Sequence, residues 1–274
     1  FATPINQRPL DLGVDMVMHS ATKYLNGHGD ITAGVLAGSA ARMKDAAYAR
    51  KMLGTILDPA AAYAVGRGLK SLSARMTVHT AHALRLSEWL EGSGKVSRVY
   101  YPGLERHPRH EVARRQMSGF GGMISIELGS KENAGRMLNR VRVFSLAESL
   151  GGVESLISHP ASMTHASVEP ERRASVGLSE GLVRLSCGVE EEGDLIEDLD
   201  RALPALAFGA GAVVSDALVS GAVVSATAGA VGPAGRDGDD DEELPQAATR
   251  TRTGQRIGRT ITPALLDVAE TEQL

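Results

Sequence analysis

The sequence has one cysteine in 274 residues, few aromatic side chains (4%), a single tryptophan and no large excess of charge of either sign. The lone cysteine, Cys187, excludes an internal disulfide framework and fits a reducing compartment, so a cytoplasmic location is expected. The 29 basic residues are dispersed and offset by 33 acidic ones, and with so few aromatics nothing marks a nucleic-acid surface. No basic-then-apolar leader opens the chain, which argues against a signal peptide. No initiator methionine opens it either, and Phe1 reads as the start of an excerpt or a truncated product. There is no internal repeat. His79 and His82 share a helical face, but no carboxylate or cysteine completes a metal site with them, so a surface pair is expected and no metal. With 43% hydrophobic and 23% charged residues, the chain can bury the core of one or two domains.

What is present is concentrated in Asp15-Met-Val-Met-His-Ser-Ala-Thr-Lys-Tyr-Leu-Asn-Gly-His-Gly29. Residues 15–19 read as a short buried strand, with Val17 between two methionines. Ser20, Thr22 and Lys23 follow, then a glycine-punctuated loop and a second apolar strand over residues 31–37. A lysine held where a strand stops, with hydroxyls three and one residues before it, suits condensation with an aldehyde cofactor whose phosphate the hydroxyls bind. Burial favours the uncharged amine that such chemistry needs. A solvent-facing lysine capping a hairpin fits the same residues, and short patterns match by chance.

The remainder alternates helices with strands. Helical spacing covers residues 40–53, then a run opened by Asp58 and Pro59 as N-cap and first-turn proline, in which Gly66 and Gly68 read as close-packing positions. A further amphipathic helix spans 76–90 and ends at Gly92-Ser-Gly94. Strands are expected at 96–101, 123–128, 143–146 and 182–188, and helices at 109–117, 131–141 and 191–203. Such alternation indicates layers of sheet and helix, an α/β chain with an α+β second part.

Several separated segments together resemble the trans-sulfuration enzymes, the pyridoxal-phosphate family that includes cystathionine gamma-synthase and cystathionine gamma-lyase. They are Phe1-Ala-Thr-Pro4, Gln7-Arg-Pro-Leu10, Gly13-Val-Asp15, the Ser20-x-Thr-Lys-Tyr24 motif with Gly27-His28, Glu105-Arg-His-Pro108 and Gln116-Met-Ser-Gly-Phe-Gly-Gly-Met123. Ala147-Glu-Ser-Leu-Gly-Gly152, Met163-Thr-His-Ala-Ser167, Leu182-Val-Arg-Leu-Ser-Cys-Gly-Val189 and Asp198-Leu-Asp-Arg-Ala-Leu203 complete the series. The resemblance implies a type I pyridoxal-phosphate fold (aminotransferase-like). Residues 1–75 would be the end of the large cofactor domain and 76–206 the smaller domain. It implies pyridoxal 5'-phosphate as cofactor, condensed with Lys23 and bound through Ser20 and Thr22. It also implies a homo-oligomer, tetrameric in the family, with small amino-acid substrates: cystathionine, acyl-homoserine or cysteine.

The implied activity is gamma-replacement on an activated homoserine or gamma-elimination from cystathionine. Methionine gamma-lyase, an acyl-homoserine sulfhydrylase, or a catalytically inactive fragment are the alternatives. Arg184 lies in an alternating strand, where a buried guanidinium needs a planar anion; a structural ion pair would serve, and by resemblance it holds the substrate carboxylate. Ser149, beside the two glycines, would by resemblance orient the lysine and the substrate. Glu148 would attract the distal ammonium of cystathionine, although a solvated loop glutamate fits equally. Cys187 reads as a packed residue, and His28 and Asp30 as loop-shaping. The family's ring-nitrogen aspartate and ring-stacking aromatic precede the Phe-x-x-Pro segment, so this chain is expected to bind the cofactor weakly alone.

After residue 206 the composition changes. Residues 209–234 are built of Gly, Ala, Val and Ser; an acidic run at 237–243 and a Thr/Arg-rich stretch at 249–262 follow. Asp216 and the glycines argue against a membrane span, and residues 207–274 read as a low-complexity, disordered tail.

Overall fold

The computed structural model describes residues 1–203, all within one compact unit. The tail expected at 207–274 lies outside the described residues. Strand β1 (Met16–Ser20) pairs antiparallel with β2 (Gly34–Gly38), Ser20 opposite Gly34. A π-helical turn, Ala21–Leu25, follows β1 directly. The second strand starts three residues later than its apolar run, because Ala33 is committed to that turn. Its carbonyl accepts from the amides of Ala21 (2.8 Å) and Thr22 (3.2 Å), and its own amide donates to Thr22 Oγ1 (2.9 Å).

A short helix α1 (Thr3–Asn6) and a 3-10 turn (Pro9–Leu12), neither expected, precede β1. Helix α2 (Ala40–Leu53) starts at Ser39, whose hydroxyl accepts from Arg42 N, and stops at Gly54, at φ +69°. Helix α3 (Pro59–Leu69) is capped as its sequence indicates: the Asp58 carboxylate accepts from the amides of Ala60 (2.9 Å) and Ala61 (3.1 Å). Gly68 is a close-packing position as expected, since a Cβ there would stand 2.3 Å from Asn26 O; Gly66 has open space. Helix α4 (Leu72–Ser93) follows after two residues and closes at Gly94.

The second half builds a mixed five-stranded sheet in the order β3 (Arg98–Tyr100), β4 (Met123–Glu127), β7 (Leu182–Ser186), β6 (Leu156–Ser158), β5 (Ser145–Leu146), in which β5–β6 is parallel and the other pairs antiparallel. Strand β6 has three residues, too few for a periodic signal. Helices α5 (His110–Gln116), α6 (Lys131–Leu138), α7 (Pro170–Ser175) and α8 (Glu192–Ala202) complete the order. Helix α7, also unexpected, carries Pro170 at its first position, a signal its sequence did offer. Helix α4 packs on β3, β4 and α8, and α6 on β7 and α8. Between them lie Leu86, Leu90, Ile124, Ile126, Ile157, Val183, Leu185, Leu195 and Leu199, all at most 1% exposed. Burying each such side chain stabilises the fold by about 1.5–3 kcal/mol.

Candidate active site

Lys23 departs from helical geometry inside its turn, at φ −90° and ψ −134°. The turn is closed around it by Asn26 N donating to Ala21 O (3.1 Å) and Gly27 N to Lys23 O (2.8 Å). Its amine donates to Ser149 Oγ at 2.7 Å. The carbonyl of that same Ser149 accepts from Arg184 Nη2 at 3.1 Å. Three residues far apart in the chain thus meet, with Ser149 between the amine and the guanidinium. Ser149 is held at φ +83°, a left-handed conformation that costs a non-glycine residue roughly 1–2 kcal/mol.

The Gly-Gly loop has little freedom around it. Gly151 N donates to Ser186 Oγ on β7 (2.9 Å), and at φ +77° a Cβ on Gly151 would stand 2.8 Å from Tyr24 N. Val153 N donates to Gly27 O (2.9 Å). The loop carrying Glu148 and Ser149 is therefore seated on the turn that carries Lys23.

Burial lowers the Lys23 amine from its ordinary value, the Arg184 charge lowers it further, and Glu148 acts in the opposite direction. Glu148 is exposed, yet its charge is felt at both Lys23 and Arg184. Burial also lowers Arg184, which at any ordinary pH stays a cation. Ser20 lies exposed at the end of β1 and, with Lys23, His19 and Tyr24, lines a cavity of about 210 Å³. Thr22 does not line it. Its hydroxyl accepts from Ala33 N, and the contact to Ala33 O is long at 3.4 Å, which leaves its proton available to another acceptor. An amine with lowered basicity, two hydroxyl donors and a guanidinium form a donor set that fits a phosphorylated aldehyde and an amino-acid carboxylate.

Arg75 was not anticipated as a site residue. It is 7% exposed, and its guanidinium donates to the carbonyls of Tyr24 (2.7 Å), Leu25 (3.3 Å) and Gly68 (2.8 Å), with Nε on Ser71 Oγ (3.0 Å). A charged residue between apolar Leu72 and Met76 on the buried face of α4 was the available signal. The expectation of a surface pair at His79 and His82 is corrected. His79 is fully buried and donates through Nδ1 to Cys187 O (2.7 Å), and His82 donates to Gly188 O (3.2 Å), so the helix face they share is the one packed on the end of β7. No group of metal-holding residues occurs among the described residues, and none of their helices is long and apolar enough to cross a membrane. Cys187 is fully buried, and burial pushes its thiol up. His28 Nδ1 lies 2.7 Å from Asn26 O, and Asn26 Nδ2 donates to Asp30 (2.6 Å), the loop-shaping contacts expected of both residues.

Residues 1–204 match the family model described as Cys/Met metabolism PLP-dependent enzyme. The chain belongs to this family. A cystathionine beta-lyase of Coxiella burnetii is 52% identical over 206 residues, 74% of this chain and 53% of that protein. An L-methionine gamma-lyase of Pseudomonas putida is 50% identical over 210 residues, 76% of this chain and 53% of that protein. Among solved structures, cystathionine gamma synthase from Xanthomonas oryzae pv. oryzae, in complex with aminoacrylate and cysteine, superposes with a TM-score of 0.72. It is 46% identical, over 74% of this chain and 53% of that one. The chain thus spans about half the length of the curated relatives it matches. The fold is that of the pyridoxal-phosphate enzymes, and the family's cofactor is pyridoxal phosphate. Beta-elimination, the reaction named for the Coxiella relative, was not among the reactions expected from the sequence.

Proposed function

We propose that this chain carries the reactive lysine, Lys23, and the substrate-carboxylate arginine, Arg184, of an enzyme that makes or breaks carbon–sulfur bonds in cystathionine and related amino acids. The observation that supports this reading is Ser149, whose hydroxyl takes the Lys23 amine while its carbonyl takes Arg184. Lys23 would hold pyridoxal phosphate through its amine, and the Ser20 and Thr22 hydroxyls would donate to the phosphate. When bound, the cofactor supplies an electron sink that makes the substrate's alpha C–H bond acidic. Arg184 receives the substrate carboxylate in a bidentate pair and so sets which bond faces the lysine. The Lys23 amine, its basicity lowered by burial and by Arg184, would serve as the base that takes the substrate's alpha proton and returns a proton further along the side chain. Ser149 holds the amine in that place, and Glu148 attracts the distal ammonium of a long substrate.

Homo-oligomeric assembly and the division near residue 75 belong to the same reading. The apolar clusters support that division. One holds Ala21, Leu25 and Val65; another is built entirely from residues after 82; a third, with Tyr24, Leu72, Met76 and Leu150, lies at the join.

Treatment of the chain with pyridoxal phosphate, borohydride reduction and peptide mapping is expected to place the label on Lys23 and to lose it in Lys23→Ala. Label on another lysine would overturn the assignment. In steady-state kinetics Glu148→Ala is expected to lower kcat/KM for cystathionine on the order of tenfold while changing that for methionine less. An equal fall for both would remove Glu148 from substrate choice.

A further inference from the structure

Arg75 stands behind the lysine turn. It is not paired with any carboxylate among the described residues; its guanidinium is spent on backbone carbonyls, two of them belonging to the residues that directly follow Lys23. The fit is tight on both sides. A Cβ on Gly27, which sits at φ +76°, would stand 2.2 Å from Arg75 Nη1, and one on Gly68 would stand 2.3 Å from Asn26 O. Only with glycine at both places do the end of α3 and the start of α4 close on the turn.

We propose that Arg75 is a positioning residue for Lys23: by pinning the carbonyls of Tyr24 and Leu25 to α3 and α4, it sets where the lysine backbone lies and hence where its amine meets Ser149. The physical case is one of donors and rigidity. The π-helical turn leaves carbonyls with no intrahelical partner in a buried place, where an unmet carbonyl costs about 1–3 kcal/mol. A planar fork of donors on one side chain satisfies Tyr24, Leu25 and Gly68 together, which a flexible ammonium does not match. With the fork removed, the turn must find other partners, and the hydrogen bond from Lys23 to Ser149 and the burial of the amine are lost with it.

The charged or titratable groups facing the amine are Arg184 on β7 and Glu148 in the Gly-Gly loop, with His19 on β1, Tyr24 and the amine of Phe1 at the cavity beside it. None of them is altered by changing Arg75.

The proposal rests on Lys23 being the reactive amine, and its test keeps the two claims apart. The first arm is cofactor trapping on the unaltered chain; if Lys23 is not labelled there, the functional reading fails and Arg75 is not yet at issue. The second arm needs no cofactor. Lys23 is acetylated with trace acetic anhydride from pH 6 to 11 and quantified by peptide mass against exposed lysines such as Lys44 and Lys51. In Arg75→Gln the Lys23 profile is expected to move to higher pH, with labelling at a fixed pH below the midpoint slower on the order of tenfold. Arg75→Lys should recover part of the shift. Ser71→Ala, at an exposed site, removes the Nε acceptor together with the Ser71 hydroxyl's own bond to Gly68 O and leaves the guanidinium on the carbonyls of Tyr24 and Leu25; it should give a smaller shift of the same sign. Asp198→Asn, at a buried polar clamp on α8, should lower the melting temperature and leave the Lys23 profile unmoved. An unchanged Lys23 profile in Ser71→Ala and in whichever Arg75 variant folds would overturn the proposal, as would a matching shift in Asp198→Asn.

Discussion

Ser149 carries a local backbone cost in the site. Its backbone is left-handed without being glycine, and the return is a hydroxyl and a carbonyl placed so that one residue serves both Lys23 and Arg184. The two contributions can be separated. Ser149→Ala keeps the strain and loses the hydroxyl; Ser149→Gly loses both. Ser149→Gly is expected to be more stable than Ser149→Ala by roughly 1 kcal/mol in urea denaturation. The two should behave alike in Lys23 labelling, since both lack the hydroxyl. Equal stability would mean that the strain is taken up elsewhere in the loop. The residues themselves say only "turn" at Ser149-Leu-Gly-Gly152; the resemblance linked Ser149 to the lysine, and the folded chain shows the contact, Lys23 onto that hydroxyl from 126 positions away.

At the scale of elements, the chain is closed by polar side chains reaching between segments rather than by long strands. Asp198 on α8 is the clearest case. It is 1% exposed, and its carboxylate accepts from the amides of Arg142 (2.8 Å), Val143 (2.8 Å) and Phe144 (2.9 Å) and pairs with Arg201. Those three amides lie just after α6, which ends at Leu138 although its apolar spacing continues to residue 141. The carboxylate thus organises the turn into β5. Asp198→Ala leaves three amides without their acceptor and is expected to cost about 3 kcal/mol or more, read as a lowered urea midpoint with an unchanged slope. A loss under about 1 kcal/mol would mean that water replaces the carboxylate at that turn.

For the molecule as a whole, α4 is the joint. Its Arg75 holds the lysine turn, its His79 packs edge-on against Tyr24 (ring centroids 5.2 Å apart) while bonding the end of β7, and its last turns enter the main core. His79 also makes stability depend on pH. Burial lowers it from its ordinary 6.5, so the unfolded chain binds this proton more readily than the folded one. The stabilisation is then complete above the ordinary histidine range and is lost as pH falls below it toward the folded value. Urea midpoints should drop between pH 7 and pH 5. In His79→Gln, which keeps an amide donor for Cys187 O but does not titrate, the slope should shrink by up to about 1.4 kcal/mol per pH unit. His19 and His107 are lowered by burial too, so some slope remains. An unaltered slope in His79→Gln would show that His79 titrates the same in both states. Helix α2 has no buried residue, and Met18 (70%), Tyr48 (67%) and Leu53 (76%) are exposed, in a chain that spans about half the length of the relatives it matches.

The sequence alone determined the Ser-x-Thr-Lys motif, the family, the α2 span and the Asp58 cap, because each is written in neighbouring residues: hydroxyls beside a lysine, a carboxylate before a proline, glycine after a last turn. The resemblance already pointed to Glu148, Ser149 and Arg184. Tertiary structure alone decided that Ser149 stands between the amine and the guanidinium, that Arg75 braces the lysine turn, and that the His79 face of α4 is buried. The reason is physical. Backbone caps and periodicity act over a few residues, whereas a guanidinium or imidazole is defined by the carbonyls it meets, and Tyr24 O for Arg75, Cys187 O for His79 and Ser149 O for Arg184 lie 51, 108 and 35 positions away.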